Sequence, residues 1–413
     1  MDSVSIRVEP STIERYVESL GAIGQQPEGG IVRPVYGPAW VEARRQLARW
    51  MHDVGLEVRE DAVGNLFGRL RGADDNRTLL TGSHIDTVKQ GGKFDGALGI
   101  LAALAALTAL REQAGLPRRS VEMVALCEEE GSRFHANFWG TRAMLGLIRP
   151  EELDALCDDE GTTIAEAMRA VGLPPERYQE AVRNDLDAFI ELHIEQGRVL
   201  YDEEIEVGIV DSITGILRQL ITVEGRTDHA GTTPMDLRHD AFQGAALMAT
   251  ELTRMVEREG RPAVATTGKW DVQPGAWNIV PGLVSFSLDL RHPDESTKQR
   301  LAAAIRDRCQ AIAQERGLRI SIQTMQDVTP EEMDSELRNV LEAAAESCGA
   351  THSRMVSGAG HDSQVFAQRL ATAMLFVPSV EGRSHSAAEY TTPEAAARGS
   401  TVLATALHQM AYR

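Results

Sequence analysis

Short apolar runs alternate with amphipathic segments along most of the chain. Apolar residues recur at helical spacing between Trp40 and Val54, and Gly55 ends that pattern. Residues 96–110 are apolar on nearly every side, which predicts a buried helix. Buried strands are predicted for three short apolar runs: Thr78–Thr81, Val121–Cys127 and Ala373–Val377.

A further segment, residues 188–195, alternates strictly between apolar and polar side chains. Its apolar face would carry Ile190, Leu192 and Ile194, and its polar face Glu191, His193 and Glu195. Strands interleaved with helices predict an α/β sheet. In such sheets ligand sites lie beyond the carboxyl ends of the strands, and we expect the site of this protein there.

The pattern changes between about residue 212 and residue 330. Strands are predicted over Leu217–Val223, Ala263–Trp270, Leu283–Leu290 and Leu318–Thr324, and helices over Asp240–Arg258 and Ser296–Arg316. This β-α-β-β-α-β order is typical of a small split-βαβ domain. We therefore predict one domain made of residues 1–211 and 331–413, with residues 212–330 inserted into it as a second domain.

Length and composition agree with two soluble domains. A chain of 413 residues exceeds one ordinary compact core. The 61 acidic against 42 basic residues leave a net charge of −19, a surface that disfavours nucleic acid and anionic membranes as partners. The apolar run 96–110 is too short to cross a bilayer, and no secretory leader pattern opens the chain. Four scattered cysteines indicate no disulfide scaffold or zinc ribbon, and we expect a cytoplasmic protein.

The candidate chemistry lies at the predicted strand ends. His84 and Asp86 could form a capped turn, or a metal-binding imidazole whose second nitrogen is held by a carboxylate. Asp95 could cap the helix that follows it, or bridge two cations with its two oxygens. His193 could be a half-exposed sheet residue and His385 an ordinary loop residue. Imidazoles and carboxylates together are the donors that a two-metal hydrolytic site requires.

Three successive glutamates, Glu128, Glu129 and Glu130, follow the second predicted strand. Such a run is usually a solvated acidic patch, but here it follows an apolar strand. Adjacent carboxylates can divide the work, one binding a metal ion while its neighbour acts as general base. Their order in the chain does not say which does which. Cys127, just before them, is most simply a buried strand-end residue.

Three polar groups of the inserted domain are candidates for ligand contact. His229 lies in a segment, residues 227–234, that could also be a simple turn with an Asx-type cap. Asn278 lies between two apolar residues, and Arg291 ends a predicted strand. An arginine fork matches a carboxylate bidentately, so Arg291 is the expected carboxylate ligand.

Taken together, these segments resemble one family closely. The motifs are residues 82–87 (Gly-Ser-His-Ile-Asp-Thr), 128–134 (Glu-Glu-Glu-Gly-Ser-Arg-Phe) and 193–197 (His-Ile-Glu-Gln-Gly), and the match runs from residue 61 to residue 386. They resemble the hydantoinase/carbamoylase branch of the metal-dependent amidohydrolases related to aminoacylases and carboxypeptidases. That branch includes N-carbamoyl-L-amino-acid hydrolases, β-ureidopropionases and allantoate amidohydrolases. The resemblance implies an α/β, mixed-sheet catalytic domain and an inserted ferredoxin-like lid and dimerisation domain.

The resemblance also implies roles for individual residues. One metal ion would be held by His84, Asp95 and His193, and the other by Asp95, Glu130 and His385, with Asp86 supporting the ligands. Glu129 would be the general base, and His229 would reach the neighbouring subunit of a homodimer and stabilise the oxyanion. Substrate would be contacted by Gln196, His229, Asn278, Arg291 and Gly360. The cofactors would be two divalent ions per subunit, chosen among zinc, manganese, cobalt and nickel.

One departure bears on the substrate. The allantoate enzymes of this family carry an arginine at the position matched here by Leu217, although Arg218 follows it. We therefore predict hydrolysis of an N-carbamoyl-L-amino acid, a small substrate with a carboxylate, to amino acid, ammonia and carbon dioxide. The alternatives are hydrolysis of allantoate or ureidoglycolate, an N-acyl amino-acid amidase, and a non-catalytic relative that only binds such ligands.

Overall fold

The computed structural model describes residues 6–412, which form two compact units. Within those residues the first unit runs to Asp211 and also contains Met333–Met355 and the chain from Gly360 onward. The second unit comprises Ser212–Glu332 and the short segment Val356–Ala359. The predicted division differs from this one by that short segment and by two residues at the second boundary.

The elements are named in chain order. Those before residue 214 are α1 (Pro10–Gly21), α2 (Pro38–Asp53), β1 (Glu57–Glu60), β2 (Leu66–Leu70), β3 (Asp74–His84), α3 (Ala97–Ala114), β4 (Arg119–Leu126), α4 (Trp139–Met144), α5 (Glu152–Ala155), α6 (Ile164–Ala170), β5 (Leu186–Ile194), α7 (Val199–Asp202) and β6 (Val207–Ile213). The next are β7 (Gly215–Glu224), β8 (Asp228–His229), α8 (Ala241–Glu259), β9 (Val264–Thr266), β10 (Trp270–Gln273), β11 (Ile279–Val280), β12 (Leu283–His292), α9 (Glu295–Glu315), β13 (Arg319–Val328) and β14 (Glu331–Glu332). The last are α10 (Ser335–Ser347), β15 (His352–Ser357), α11 (Asp362–Phe366), β16 (Ala371–Val377) and α12 (Pro393–Ala411).

The larger sheet is mixed and has four parallel strands at its centre. Its strand order is β1-β2-β4-β3-β5-β16-β6-β14, and β15 also pairs with β6. Strands β4, β3, β5 and β16 run parallel to one another, whereas β2 and β6 flank them in the antiparallel direction. The predicted α/β class is confirmed. The carboxyl ends of four adjacent strands therefore meet at one edge of this sheet.

Two central strands differ in detail from the prediction. Strand β3 begins at Asp74, earlier than predicted, and it includes His84 as its last residue. Strand β5 is buried on both faces, so its polar face is not half exposed. Glu191 on that face accepts hydrogen bonds from the hydroxyls of Ser83 and Ser363, both at 2.7 Å. The alternation of β5 thus reflects a buried polar network and not a solvated sheet face.

Helix α3 is the buried helix that the apolar pattern predicts. Its hydrophobic residues surround the whole axis because it packs against the sheet on one side and against α1 and α12 on the other. Within the described residues it is the one helix long and apolar enough to cross a membrane, but 72% of it is buried inside the fold. Its composition is that of a core helix.

The second unit has the predicted split-βαβ architecture. Its sheet has the order β10-β12-β7-β13, with antiparallel neighbours, and α8 and α9 pack against it. The single strand predicted over Ala263–Trp270 is wrong, because the chain forms two strands there. Strand β9 pairs with one end of β12 and β10 with the other, and the chain between them is not part of the sheet.

The position of Leu217 in β7 bears on the substrate prediction. Leu217 is buried in the hydrophobic core between the sheet and the helices of the second unit. Because side chains alternate along a strand, Arg218 lies on the opposite face, where its Nε donates to Asp289 at 2.9 Å. An arginine at position 217 of this chain would therefore enter the core and not a ligand-binding surface.

Candidate active site

The four parallel strand ends deliver four ligand-bearing segments to one place. His84 ends β3, the run Glu128–Glu130 follows β4, His193 is the penultimate residue of β5, and the loop after β16 carries His385. Asp95 lies between β3 and α3. The structure brings all of these side chains together, as the strand-end argument predicts.

Asp95 lies at the centre of this cluster, and its two carboxylate oxygens face different histidines. Its Oδ1 is 3.4 Å from the Nε2 of His84 and 3.4 Å from the Nε2 of His193. Its Oδ2 is 3.4 Å from the Nε2 of His385, which is itself 3.7 Å from Glu130. This is the arrangement of a bridging carboxylate between two ligand pairs.

Backbone carbonyls orient the two buried imidazoles. The Nδ1 of His84 is 3.0 Å from the carbonyl of Asp86, and the Nδ1 of His193 is 2.9 Å from the carbonyl of Ile194. A proton on each Nδ1 satisfies these carbonyls and leaves each Nε2, 3.4 Å from Asp95 Oδ1, without a proton. Both rings are thus held in the tautomer that can bind a metal ion through Nε2.

The prediction that the Asp86 carboxylate holds the second ring nitrogen of His84 is wrong, because the backbone carbonyl of Asp86 makes that contact. The carboxylate of Asp86 is 3.9 Å from the Nδ1 of His84, which the Asp86 backbone carbonyl contacts at 3.0 Å. The carboxylate instead accepts the backbone N–H groups of Glu129 and Glu130, both at 3.1 Å. Asp86 still supports the site, because one residue orients an imidazole with its backbone and two glutamates with its side chain.

The three consecutive glutamates have different environments. Glu128 has a left-handed backbone (φ 55°), and its carboxylate accepts the backbone N–H groups of Arg133 and Phe134 at 3.2 and 2.8 Å. Glu129 faces His84, with 3.7 Å between its Oε2 and the ring Nε2. Glu130 faces His385. One glutamate therefore organises the following loop, and the other two face the cluster.

The pKa values in the cluster are strongly perturbed. Burial raises the pKa of Glu129 well above its usual range and that of Glu130 to about 7. Burial raises the pKa of Asp95 too, but the surrounding imidazoles outweigh it and hold that pKa well below its ordinary value. Contact with Asp95 raises the pKa of His385 to about 9. A bound cation would stabilise so dense a set of buried carboxylates and imidazoles.

The donor set fits two divalent cations. Three groups bring their ligand atoms within 4.8 Å of one another: His84, Asp95 and His193; His84, Glu129 and Glu130; and Asp95, Glu130 and His385. Within residues 6–412, the Oε1 atom of Glu130 is buried and has no hydrogen-bond partner. A buried carboxylate oxygen without a donor is costly unless a cation occupies its lone pairs. Mixed imidazole and carboxylate donors suit zinc, manganese, cobalt or nickel.

Gly96 makes room for the cluster. Its backbone is left-handed (φ 62°), and a Cβ there would lie 2.4 Å from the ring of His84. The backbone N–H of Gly96 donates a hydrogen bond to the Nε2 of His193, with 3.1 Å between the two nitrogens. A larger residue at this position would displace the imidazole, so the loop between Asp95 and α3 requires glycine.

The structure places the predicted substrate residues in both units. In the first, Gln196 donates its amide N–H to Asp95 Oδ2 at 2.7 Å, and Gly360 packs near Phe138. In the second, the Nδ1 of His229 accepts the N–H groups of Gly231 and Thr232 at 3.0 and 3.2 Å.

Asn278 and Arg291 belong to the second unit. The backbone carbonyl of Asn278 accepts the N–H of Ala230, so it helps to hold the His229 loop. Arg291 donates from Nε and Nη2 to Asp289 at 2.8 and 3.1 Å, and from Nη1 to the carbonyl of Gly358 at 2.6 Å. A guanidinium has five N–H donors, so one remains on each terminal nitrogen of Arg291.

Sequence reasoning missed three buried residues beside the cluster. Glu389 accepts the backbone N–H of Asp95 at 2.9 Å. The ring of His361 packs 4.6 Å from that of His193, and Asp362 accepts the hydroxyl of Thr141 at 2.6 Å. Glu389 lies only four residues after His385, and this closeness in sequence could have indicated that it lies near the cluster. His361 and Asp362 directly follow Gly360, which the resemblance implies as a substrate contact, but they carry no prediction of their own.

Fold and donor set together define a two-metal hydrolase with an inserted split-βαβ domain. Residues 80–409 match Peptidase family M20/M25/M40. The chain is 40% identical to the allantoate amidohydrolase of Escherichia coli (strain K12), over 97% of this chain and 98% of that protein. It is also 40% identical to the N-carbamoyl-L-amino-acid amidohydrolase of Paenarthrobacter aurescens, over 96% and 97%. A hydantoinase/carbamoylase family amidase from Burkholderia multivorans superimposes with a TM-score of 0.94 at 33% identity, covering 99% of both chains.

The chain therefore belongs to Peptidase family M20/M25/M40, in its hydantoinase/carbamoylase branch, and is a metal-dependent amidohydrolase. The family resemblance that the sequence motifs indicate is confirmed.

Proposed function

We propose that this amidohydrolase cleaves the ureido C–N bond of an N-carbamoyl-L-amino acid. Water is consumed, and the products are the amino acid, ammonia and carbon dioxide. The observation that carries the proposal is the central Asp95, whose two oxygens face different imidazoles in a buried cluster of metal donors. A relative 40% identical to this chain is named for the same substrate class.

His84 and His193 would hold one metal ion, and Glu130 and His385 the other, with Asp95 shared between them. When bound, two divalent cations lower the pKa of a water molecule and polarise the substrate carbonyl. The protein's own contribution is to fix the donors, because both buried imidazoles are already oriented by backbone carbonyls.

Glu129 is the proposed general base. Its carboxylate lies beside the cluster, and the Asp86 side chain holds its backbone N–H. It would take a proton from the attacking water and pass it to the leaving nitrogen. Glu129→Gln keeps the size of the side chain but removes the base, so kcat should fall about 100- to 10,000-fold.

The metal content of Glu129→Gln, measured by elemental analysis, is the control for that experiment. A variant that retains two ions and loses turnover supports the assigned role. An unchanged rate with both ions bound would overturn it.

His229 is the proposed oxyanion donor. Because its Nδ1 accepts two backbone N–H groups, the neutral ring carries its proton on Nε2, which is the donor that an oxyanion needs. The flanking loop exposes Met235 and Leu237 by 74% and 57%, and Trp277, beside Asn278, is completely exposed. Exposed apolar side chains around a polar donor are typical of a surface that another subunit covers. We infer a homodimer in which His229 serves the partner's site.

Subunit mixing tests this arrangement directly. Glu129→Gln and His229→Asn homodimers should each be nearly inactive. When they are mixed and allowed to exchange subunits, one site of each hybrid dimer regains both an intact Glu129 and an intact His229. Recovery of ammonia release supports a shared site. If both single variants are inactive and mixing restores nothing despite proven exchange, His229 does not act across the dimer.

Arg291 is the proposed ligand of the substrate carboxylate. Asp289 and Gly358 hold the guanidinium rigidly, and one N–H on each terminal nitrogen remains available for a second carboxylate. Gln196 would contact the ureido group, because its Oε1 is buried without a donor among the described residues. Asn278 and Gly360 complete the proposed set of substrate contacts.

Allantoate is the second candidate substrate, and one observation favours it. The prediction against allantoate rested on Leu217, but that side chain lies in the core. Arg218 lies on the face of Arg291 and shares Asp289 with it, so it could bind a second polar group of a larger ureido substrate. A relative named allantoate amidohydrolase is also 40% identical to this chain.

Ammonia release from metal-reconstituted protein decides between these substrates. The panel contains N-carbamoyl-L-amino acids, allantoate, ureidoglycolate and N-acetyl amino acids, each with a chelated control; acetate release is measured for the last group. Chelator-sensitive release from a carbamoyl amino acid supports the proposal. If allantoate is preferred, Arg218→Ala should reduce its turnover more than that of a carbamoyl amino acid. Saturable binding without turnover would instead support a non-catalytic relative.

A further inference from the structure

Glu389 connects two segments that carry metal ligands. One of its oxygens accepts the backbone N–H groups of Phe94 and Asp95 at 2.8 and 2.9 Å. Its other oxygen is 3.1 Å from the hydroxyl of Ser384, which lies next to His385. Glu389 is 95% buried, so these contacts are shielded from water.

The hydroxyl of Ser384 extends this connection to a ligand atom. It is 2.9 Å from Asp95 Oδ2, the carboxylate oxygen that faces His385. A hydroxyl has only one hydrogen, so it cannot donate fully to both carboxylates. The hydroxyl of Ser384 thus lies between the carboxylate of Glu389 and that of Asp95, within hydrogen-bond distance of both.

The two segments have reasons to need such a connection. The backbone of His385 is left-handed (φ 53°), which is uncommon for a residue other than glycine. The side chain of His385 is half exposed, whereas those of His84 and His193 are buried. Gly92 leaves space for the connection, because a Cβ there would lie 2.2 Å from the Glu389 carboxylate. The exposed ligand is thus tied to the buried part of the cluster through Glu389.

We propose that Glu389 is a positioning residue for the metal site formed by Asp95, Glu130 and His385. It fixes the backbone of the shared carboxylate and, through Ser384, the oxygen of that carboxylate that faces His385. The inference rests on the metal site of the proposed function, but not on its substrate. Loss of Glu389 should therefore weaken this site more than the site of His84 and His193, because the Ser384 contact acts only on the Asp95 oxygen that faces His385.

Cobalt(II) titration of the metal-free protein, followed by visible absorption and calorimetry, measures the two affinities without any substrate. Glu389→Ala should weaken one cobalt site about 10- to 100-fold, the usual effect of removing a partner that orients a ligand. Glu389→Gln should restore the affinity, because its oxygen accepts both backbone N–H groups and its amide donates to Ser384. Glu381→Ala, an exposed position on the same loop that pairs only with Arg383 in the described structure, is the matched control.

Ser384→Ala tests the connection if Glu389→Ala does not fold. It keeps the backbone contacts of Glu389 and removes the link to Asp95, so the same cobalt site should weaken and its absorption band should change. Unchanged affinities in both variants, or equal weakening of both sites, would overturn the proposal. Wild-type protein that binds two cobalt ions but turns over no substrate would instead contradict the proposed function and leave this inference standing.

Discussion

Replacing Asp86 with asparagine tests whether the backbone carbonyl of Asp86 or its carboxylate orients His84. The substitution keeps the backbone carbonyl that orients His84 and keeps the size of the side chain. It removes one of two carboxylate oxygens, which accept the N–H groups of Glu129 and Glu130 at 3.1 Å each. Asp86 is fully buried, so water cannot replace the lost acceptor.

The expected loss follows from this hydrogen bond. An asparagine offers one oxygen, and its amide group faces the other N–H, so one hydrogen bond to a charged acceptor is lost. Such a bond contributes about 1.5–3 kcal/mol, which corresponds to a factor of about 10 to 150 in rate when the residue held is the catalytic base. We expect kcat to fall within that range because Glu129 and Glu130 lose their shared anchor.

Ammonia release and metal content, measured on the same preparation, check this prediction. Asp86→Asn should retain the ion at His84 and lose turnover, whereas Asp202→Asn, a surface substitution, should retain both the ion and turnover. Loss of the ion at His84 with the base still competent would mean that the carboxylate, not the backbone carbonyl, orients the imidazole. An unchanged kcat would refute the assigned role of the two N–H contacts.

Three further outcomes follow from the same contacts. Glu128→Gln keeps an oxygen for the two N–H groups of the following loop, so ammonia release should stay close to wild type; a loss as large as that of Glu129→Gln would contradict the division of roles. Burial raises the pKa of Asp362 from 3.8 to about 8, so its folded state binds the proton more tightly than the unfolded state does. The protonated Asp362 side chain therefore contributes stability that is complete below the unfolded pKa and is lost as the pH rises to about 8. Urea unfolding of the chelated protein should depend less on pH for Asp362→Asn than for wild type, and an identical dependence would contradict the raised pKa. Leu217→Ala should lower the free energy of unfolding by about 2–5 kcal/mol without changing substrate preference, and a switch in preference at unchanged stability would place this side chain outside the core.

The general location of the cluster could be predicted from the sequence. His84, His193 and the glutamates each lie at the end of an apolar run, and the carboxyl ends of adjacent parallel strands meet at one sheet edge. The β-α-β-β-α-β order of the second unit could also be predicted, because helices and strands have different hydrophobic periods. Local periodicity depends on neighbouring residues and can be recognised without knowing the fold.

Contacts between distant segments could not be predicted in this way. Whether the carboxylate or the backbone carbonyl of Asp86 meets His84 depends on how the loop after β3 packs against the loop after β4. The connection of Glu389 to Asp95 joins residues 294 positions apart. The burial of Leu217 depends on which face of its sheet the helices cover.

By itself, the sequence determined the class of fold, the family and the segments that carry the chemistry. Those properties follow from side-chain periodicity and from motifs of a few residues. The tertiary structure decided which oxygen of Asp95 faces which imidazole, which glutamate turns away from the cluster, and which side of β7 is exposed. These depend on hydrogen bonds and packing between segments far apart in the chain, whose partners are defined only when the whole core is assembled.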